Sequence, residues 1–286
     1  MDNFQDHSLT VPVSPEGTHL DAFLGGNLPL SKQRILLAIS EGSTYINNKR
    51  CRDATQLLHG GETVRVVILD GEKLIPFSEK QLLWRNPPFY LIHKRSGQYA
   101  QEALHRSQGT LPEELTEYLK LPSKQLLRPV HRLDRDTSGL MLFCADPKKL
   151  QRIQDLWHSH VSKSYIAVVE PAPEWESIRI TLPIGKRRDK RGCYRVEKDG
   201  RTCDTEAEVI ERRSGKALLR LIPHTGRTHQ LRIHLSHLGC PILGDGRYGG
   251  KKHPRLMLHA RTLHIRPPAL TQEQQWIVEP EEDWQW

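Results

Sequence analysis

Cysteine is scarce in this sequence, and its pattern excludes several classes of protein. The five cysteines are odd in number and widely scattered, and no two of them form a C-x-x-C pair. Neither a disulfide framework nor a cysteine zinc site is therefore indicated. We expect reduced thiols, as in a cytoplasmic protein.

Long apolar runs are also missing. No stretch approaches the ~20 apolar residues that a membrane-spanning helix needs. The first residues, MDNFQDHSLT, lack the apolar core of a signal peptide. We expect a soluble cytoplasmic protein without a membrane partner.

Positive charge is what the sequence has in excess. Lysine and arginine number 42 against 34 aspartates and glutamates, which gives a net charge of +8 over 286 residues. A polyanionic partner suits this balance, although many basic proteins bind no nucleic acid. The hydrophobic fraction of 37% is ordinary for a globular protein, and the length fits one large domain or two smaller ones.

The first 75 residues are predicted to form a small α/β unit. Apolar residues at helical spacing predict two short helices around residues 20–24 and 35–39, and Ser31 is placed to cap the second one. A strand, a turn at Asn47 and Asn48, and a second strand at the β-branched run 64–69 follow. The predicted order is helix, helix, strand, turn, strand.

The rest of the chain is predicted to be a linker and a larger domain. Residues 76–85 are polar and contain Pro76, which suits a linker. Residues 86–286 mix strand-like runs with few helices, of which the one starting at Pro147 is clear. Strands that return through turns predict an α+β fold with a mixed, mainly antiparallel sheet. The acidic run 279–283 is predicted to be a solvated chain end.

A charged segment directly before an apolar strand is the first candidate site. HRLDRDTSG at 131–139 precedes LMLFC, and Asp134 has Arg132 and Arg135 on either side. A cation within about 4–6 Å would keep this carboxylate ionised at neutral pH, ready to act as nucleophile or base. The alternative is a solvated turn in which Asp136 or Thr137 caps a neighbour, and the pattern alone leaves both open.

Histidines and arginines crowd the segment HTGRTHQLRIHLSH at 224–237. Four histidines in fourteen residues suggest a metal site, but the helical i, i+3 pair is only His234 and His237. No carboxylate or thiolate stands at a familiar zinc spacing, so we predict no metal ligands here. Arg227 and Arg232 fit another role, as donors to a phosphate or a carboxylate.

Two further segments leave a structural and a functional interpretation open. In KSYIAVV at 163–169, Lys163 and Tyr165 share one face of a predicted strand. The tyrosine there is either part of the core or a stacking platform for a base. Residues 185–201 hold eight lysines and arginines against three acids, which suits either a solvated loop or a hairpin that follows a phosphate backbone.

Taken in order, these segments resemble the RluA-type family of RNA pseudouridine synthases over residues 86–286. HRLDRDTSGLMLF at 131–143 resembles the family's catalytic loop, and KSYIAVV resembles its tyrosine strand. HTGRTHQLRIHLSHLGCPILGD at 224–245 resembles its arginine motif, and RLMLHA at 255–260 completes the set. In the first 75 residues, HLDAFL, LSKQRILLAISEG and YINNK resemble the small alpha-L RNA-binding domain.

The resemblance implies a fold, an activity and roles for single residues. It implies a pseudouridine synthase fold around a central cleft and an isomerase that needs neither metal nor cofactor. Asp134 would be the catalytic aspartate, and Arg232 would pair with it. Tyr165 would stack on the flipped uracil and help with the proton at the new bond, while Arg132 would fill the gap left in the RNA. The other implied RNA-contacting residues are His131, which we expect to support the loop rather than do chemistry, and Arg135, Arg227, His229, Arg34 and Lys32.

The implied partner is structured RNA, bound by a monomeric protein. The additional N-terminal module favours large-subunit ribosomal RNA over transfer RNA. Two rival functions belong to other classes: a non-catalytic RNA-binding or ribosome-assembly factor, and a metal-dependent nuclease built on the histidines.

Overall fold

The computed structural model describes residues 3–14, 16–71, 74–122, 127–186, 193–281 and 283–286. Up to residue 70 the elements are β1 (Asn3–Thr10), β2 (Thr18–His19), α1 (Leu20–Asn27), α2 (Lys32–Glu41), β3 (Thr44–Ile46), β4 (Lys49–Cys51), β5 (Leu57–Leu58) and β6 (Thr63–Asp70). After a 3-10 turn at Glu79–Gln81 come β7 (Leu82–Asn86), β8 (Phe89–Lys94), α3 (Leu111–Tyr118), β9 (Arg128–Pro129), β10 (Ser138–Cys144), α4 (Pro147–Asp155), α5 (Trp157–His160), β11 (Val161–Val169), β12 (Ser177–Ile180), β13 (Ile184–Lys186), β14 (Tyr194–Val196), β15 (Thr205–Arg213), β16 (Lys216–Pro223), α6 (Gln230–His237), β17 (Leu258–Ile265) and β18 (Gln274–Ile277).

The N-terminal part folds as a small sheet with two helices. The strands lie in the order β1-β6-β3-β4, and the apolar faces of α1 and α2 share a core with β6. The Ser31 side chain accepts a hydrogen bond from the Arg34 amide at 3.2 Å, which confirms the predicted cap of α2. Gly42 ends this helix with a φ of 81°, in the left-handed region that glycine adopts without strain.

The predicted element order was incomplete, because it began with a helix. Strand β1 precedes both helices and pairs antiparallel with β6 over its whole length, from Asn3 opposite Asp70 to Thr10 opposite Thr63. Its sequence NFQDHSLT has no alternation of apolar and polar residues that would identify a strand. Pairing with the buried strand β6 therefore makes this segment extended, and that partner is some sixty residues away.

A larger sheet organises the rest of the chain. Its strands follow the order β12-β15-β16-β11-β17-β10-β8-β7, with β18 beside β17 and β9 beside β10. Within the described residues β10 and β17 pair in parallel, and the other neighbours in this sheet are antiparallel. This arrangement confirms the predicted α+β fold with a mixed, mainly antiparallel sheet. No helix in the described ranges is both long and apolar enough to cross a membrane.

The linker prediction for residues 76–85 was wrong for its second half. Strand β7 is the edge strand of the large sheet and pairs with β8. Just before it, the buried Gln81 side chain donates to the His93 carbonyl at 2.7 Å and to Gln98 at 2.8 Å. Pro76 and the polar neighbours concealed this strand, whose apolar side chains Leu82 and Trp84 pack against the cores beneath the sheet.

The acidic C-terminal run was predicted to be a solvated chain end. Its described acids are instead paired with Arg255 and Arg261. Arg255 donates to Glu281 at 2.8 Å and to Asp283 at 2.5 Å, and its guanidinium lies 5.3 Å from the centre of the Trp284 ring. Glu279 pairs with Arg261 of β17. The sequence displays these acids without displaying their partners, which lie 18 to 28 residues earlier.

Segment 103–107 of the larger part is the surface against which the N-terminal part packs. Ser43 and Tyr45 donate from their hydroxyls to the carbonyls of His105 and Leu104, at 2.6 and 2.8 Å. Arg106 makes an ion pair with Glu41 at 2.7 Å. Because these contacts are hydrogen bonds with defined directions, they fix the orientation of the small sheet relative to the large one.

Candidate active site

A cleft of about 320 Å³ opens where the loop before β10, strand β11 and the start of α6 meet. The segments that resemble the catalytic loop, the tyrosine strand and the arginine motif all contribute to its walls. The site residues predicted from the sequence that line it are His131, Arg132, Asp134, Tyr165, Arg227, His229 and Arg232.

The loop that carries Asp134 is held from below by a buried lysine. Lys94 is the last residue of strand β8, and its side chain is fully buried. Its ammonium donates to the carbonyls of Arg135 and Thr137 at 2.6 and 2.8 Å. At the end of the loop Gly139 has a φ of 120°, and any Cβ there would collide with the backbone of Ala260 in β17. The loop is therefore fixed by the hydrogen bonds to its carbonyls and by the close backbone contact at Gly139. These two constraints set the position of the Asp134 carboxylate.

Arg232 links Asp134 to a second carboxylate. Its Nη1 donates to Asp134 Oδ2 at 3.1 Å, although the two residues are 98 positions apart. Its Nε and Nη2 both donate to Asp245, each at 2.7 Å, and the Asp245 side chain is 0% exposed. The paired bonds to Asp245 hold the guanidinium in one plane and leave Nη1 for Asp134.

The charges around Asp134 keep it ionised. Burial by itself raises the pKa of the Asp134 carboxyl, but His229 and Arg232 outweigh burial and hold that pKa below its ordinary value. Burial lowers the pKa of His229 to about 4, so its imidazole is neutral at pH 7. The permanent charges that sustain the carboxylate are therefore the guanidinium of Arg232 and, to a smaller extent, that of Arg132.

Tyr165 belongs to both the core and the cleft wall. Only 7% of the residue is exposed, yet it lines the cleft together with Asp134. Burial, reinforced by the negative charge of Asp134, raises the pKa of the Tyr165 phenol. The phenol therefore stays protonated at neutral pH. The ring offers a largely apolar surface in the cleft wall, which suits stacking against a nucleobase.

His131 is held in the cleft wall by contacts with β10 and α5. Its Nε2 accepts a hydrogen bond from the Leu142 amide at 3.2 Å, and its ring stacks on Trp157 with centroids 4.9 Å apart. Burial, together with the charge of Lys163, lowers the pKa of His131 to about 3. A neutral imidazole that joins the loop to β10 and α5 fits the supporting role expected from the sequence.

The histidines of segment 224–237 do not converge on one point. His229 bonds to the Tyr248 hydroxyl through Nδ1 at 2.6 Å, with its Nε2 3.7 Å from Asp134. The two ring nitrogens of His234 contact Thr205 at 3.1 Å and the Leu182 carbonyl at 2.9 Å. Their hydrogen bonds account for these histidines without a shared ligand.

Another histidine pair does come close to a carboxylate. In the part of the chain that the structure describes, His93, His259 and Glu281 are near enough to one another to share a cation. Both ring nitrogens of His259 are already bonded, to Ser138 at 2.8 Å and to the Val278 carbonyl at 3.0 Å, and Glu281 is paired with Arg255. We interpret this group as part of the C-terminal strap, by which we mean Glu279, Glu281 and Asp283 with their partners Arg255 and Arg261.

Three of the predicted RNA-contacting residues lie away from the cleft wall. Arg135 makes an ion pair with Asp136 at 2.8 Å, and its guanidinium lies 6.0 Å from the centre of the Tyr99 ring. Arg34 is held by Asp70 at 2.8 Å and Glu41 at 3.6 Å, and its RNA contact stays a prediction. Lys32 is exposed at the start of α2.

The predicted basic hairpin is described only in part. Strands β13 and β14 pair antiparallel, from Ile184 opposite Val196 to Lys186 opposite Tyr194. Residues 187–192, with four of the eight lysines and arginines of this segment, lie outside the described residues. The phosphate-following role of this hairpin stays a prediction.

Sequence reasoning missed the role of Asp245. The residue ends the motif HTGRTHQLRIHLSHLGCPILGD, and a lone acid after the apolar run CPILG was the available signal. Its importance follows only from the three-dimensional arrangement, in which the completely buried Asp245 carboxylate pairs with Arg232, the arginine that also contacts Asp134. Lys94 was missed for the same reason, because its partners are backbone carbonyls.

Comparisons with known proteins agree with this geometry. A family model described as RNA pseudouridylate synthase matches residues 88–237. Ribosomal large subunit pseudouridine synthase C of Escherichia coli is 30% identical over 272 residues, which are 89% of this chain and 83% of that protein. Ribosomal large subunit pseudouridine synthase D of Neisseria meningitidis is 30% identical over 257 residues, 86% of this chain and 67% of that protein.

Solved structures support the same assignment. Human RNA Pseudouridylate Synthase Domain Containing 4 superimposes with a TM-score of 0.59 and 26% identity, covering 72% of this chain and 90% of that one. Human RNA Pseudouridylate Synthase Domain Containing 1 shares the fold, with a TM-score of 0.60 and 23% identity over 72% of this chain and 86% of that one. Since sequence, fold and cleft agree, this chain belongs to the RNA pseudouridylate synthase family and is an isomerase that converts uridine to pseudouridine in RNA.

Proposed function

We propose that Asp134 is the catalytic carboxylate of this enzyme and that its target is a uridine of large-subunit ribosomal RNA. The observation that carries the first part is the contact between Arg232 and Asp134 at 3.1 Å inside the cleft. An arginine that is itself anchored by a buried aspartate delivers a fixed positive charge to Asp134, the one acid among the described residues that line the cleft. Such an arrangement preserves an ionised acid where a substrate binds.

The reaction explains why an ionised carboxylate is needed. Conversion of uridine to pseudouridine breaks the bond between N1 and C1′, turns the base, and forms a bond between C5 and C1′, after which C5 loses its proton and N1 gains one. Asp134 would either attack the ribose or remove a sugar proton as the uracil detaches. Both routes require the carboxylate form.

Tyr165 and Arg132 are proposed to hold the flipped nucleotide and its RNA. Tyr165 lies in the wall of the cleft, where its ring can stack on the uracil. Because the raised pKa keeps its phenol protonated at neutral pH, no phenolate is available to remove the C5 proton, which favours a stacking role. Arg132 is exposed at the rim, where it can enter the space that the flipped base leaves in the RNA.

Two observations support a ribosomal target. The relatives from Escherichia coli and Neisseria meningitidis carry the name of the large ribosomal subunit, and each alignment includes more than four fifths of this chain. The small N-terminal part also adds an exposed lysine, Lys32, at the start of helix α2. Transfer RNA is the alternative target.

Mapping of pseudouridine on unmodified RNA tests the proposed target. Large-subunit ribosomal RNA and bulk transfer RNA, both transcribed in vitro, are incubated separately with the enzyme, and pseudouridine is located by chemical probing and reverse transcription. New pseudouridine in the ribosomal RNA alone is the expected result. Modification of transfer RNA alone would refute the proposed target, and tight binding with no pseudouridine in either RNA would refute catalysis.

We also infer a monomeric enzyme of a reducing compartment such as the cytoplasm. The five cysteines of the chain are all free, and four of them are buried. Free buried thiols suit a compartment in which disulfides do not form. Light scattering in solution with and without RNA tests the oligomeric state, and a mass twice that of the chain would contradict a monomer.

A further inference from the structure

Lys163 is a cation in the cleft that the chemistry proposed above does not use. It lies on strand β11, two positions before Tyr165, and its side chain lines the cleft. Within the described residues its ammonium has neither a hydrogen bond nor an ion pair, and the residue is half-buried in the cleft wall. A partly desolvated ammonium without a partner is unfavourable, so the protein alone does not explain this position.

The surroundings of Lys163 place its charge to one side of the catalytic carboxylate. Burial alone lowers the pKa of Lys163 to about 8, and Asp134 makes no contribution. On one side, the charge of Lys163 reaches His131 and helps to lower its pKa. On the other, a Cβ placed on Gly226 would lie 3.9 Å from the Lys163 Nζ. The ammonium thus lies between the base of the catalytic loop and the loop that precedes α6.

The cleft walls offer Lys163 no counter-charge. Among the described residues that line the cleft, Asp134 is the single acid, and Arg232 already pairs with it. The other charged groups on the walls are positive, and Arg132 and Arg227 are exposed at the rim. An anion supplied by the substrate would complete this electrostatic arrangement.

We propose that Lys163 binds a backbone phosphate adjacent to the target uridine and so holds the nucleotide in place over Asp134. This inference rests on the proposed function of the cleft and identifies the part of the RNA that the lysine recognises. A lysine ammonium is a compact charge that binds phosphate without requiring a paired geometry. Two residues of strand span about 6.6 Å, a distance at which Tyr165 can contact a base while Lys163 contacts the phosphate of the same nucleotide.

Neutralising single phosphates in the RNA tests the contact directly. The RNA is a stem-loop that contains the uridine identified by mapping, made with a methylphosphonate at the phosphate on its 5′ side, on its 3′ side, or at neither. Wild-type enzyme and Lys163→Met are compared by kcat/KM and by RNA affinity. We expect one methylphosphonate to reduce the kcat/KM of the wild-type enzyme by roughly 10- to 100-fold, as for a lost charge-assisted contact.

The variant provides the second half of the comparison. Lys163→Met should lose the same roughly 10- to 100-fold on unmodified RNA and should lose nothing more with that methylphosphonate, because the contact is already absent. Its RNA affinity should also depend less on salt, with the slope of log K against log salt reduced by about 0.7 to 0.9. Lys163→Arg keeps the charge and should keep the wild-type slope.

Controls separate this inference from its alternatives. Lys252→Met, which removes an exposed lysine outside the cleft, should respond to both methylphosphonates as the wild-type enzyme does. If each methylphosphonate weakens Lys163→Met by the same factor as the wild-type enzyme, the phosphate contact is refuted while the synthase activity stands. If the wild-type enzyme forms no pseudouridine in any RNA, the proposed function fails first. Thermal melting of Lys163→Met establishes that a loss of activity is not a loss of fold.

Discussion

At the scale of single residues, Arg232 explains how one cleft keeps a reactive carboxylate. Its two bonds to Asp245 involve a side chain that is 0% exposed, whereas Asp134 is 19% exposed and faces the cleft. Buried ion pairs of this kind contribute little net stability, because desolvation of the charges offsets their attraction. Their value here is geometric, since a fixed guanidinium places its remaining N–H group beside Asp134.

Asp245→Asn should lower activity without any contact to the substrate. The amide cannot accept both arginine bonds as a carboxylate does, so Arg232 loses its fixed orientation and Asp134 loses a reliable partner. We expect a fall of about 10- to 100-fold in the single-turnover rate at saturating enzyme, with RNA affinity nearly unchanged. The matched control is Asp155→Asn on the exposed face of α4, and equal rates for the two variants would contradict the role of Asp245.

The pH dependence of the reaction should reveal the same pairing. In the wild-type enzyme the pKa of Asp134 is lowered, so the carboxylate form persists as the pH falls and is lost only below the ordinary value of 3.8. In Arg232→Gln fewer positive charges oppose burial and this pKa rises, so the single-turnover rate should begin to decline at a higher pH than in the wild-type enzyme as the pH is lowered from about 7 to about 4. Single-turnover rates measured over this range check the shift, and profiles of identical shape in both enzymes would refute it.

The sequence identified residues of the cleft wall better than the residues that orient them. Asp134, Tyr165 and Arg232 stand in motifs that resemble a known family, and the structure brings all three to one cleft. Asp245 and Lys94 could not be predicted, because their roles depend on partners 13 to 43 positions away and on complete burial. A pattern of residue types carries neither of these properties.

At the scale of elements, strand β8 supports the catalytic loop through Lys94. Its ammonium satisfies three carbonyl oxygens, those of Arg95, Arg135 and Thr137, at 2.6 to 3.0 Å. A buried carbonyl that loses its donor is destabilising. The loop therefore depends on a residue in another strand for its shape.

Lys94→Met should destabilise the fold and impair catalysis together. The methionine has a similar volume but leaves buried carbonyls without a donor, which costs about 1–3 kcal/mol in the free energy of unfolding. Urea denaturation measures this change, and the single-turnover rate reports the displacement of Asp134. Lys148→Met, at an exposed position of α4, should leave both quantities unchanged. A Lys94→Met enzyme with wild-type stability would contradict the supporting role.

Local signals identified some elements, and distant partners determined the others. Strand β10 is a continuous apolar run, and α4 has an aspartate cap followed by proline, so both could be predicted. Strand β1 and the C-terminal strap could not, since each is shaped by pairing with residues far along the chain. For β7, a proline nearby suggested a linker, and the pairing with β8 overrides that signal.

At the scale of the whole molecule, a series of contacts links the N-terminal part to the loop that carries Asp134. Residues 103–107, which bind the small sheet, follow closely on Tyr99, whose hydroxyl contacts His105 at 2.7 Å and whose ring faces Arg135 of the catalytic loop. We propose that the N-terminal part is a separate RNA-binding domain, ending near residue 75, whose own core is distinct from that of the large sheet. Because its contacts with residues 103–107 hold it in one position, this domain would present RNA to the cleft in one orientation.

Removal of residues 1–71 should weaken RNA binding more than it slows the chemical step. The truncation takes away the small sheet and its basic side chains but leaves the cleft residues in place. We expect a smaller salt dependence of RNA affinity, because fewer phosphates are contacted, and a single-turnover rate at saturating enzyme within about threefold of wild type. An unchanged salt dependence would argue against an RNA-binding role for this domain.

The most direct test of the account is the isomerisation rate of Asp134→Asn. RNA labelled with tritium at C5 of uridine releases the label as pseudouridine forms, and filter binding with the same RNA measures affinity. We predict RNA affinity and melting temperature close to those of the wild-type enzyme, with tritium release abolished, because the amide can neither attack the ribose nor remove a proton. Tritium release near the wild-type rate would contradict the assignment of Asp134 as the catalytic carboxylate.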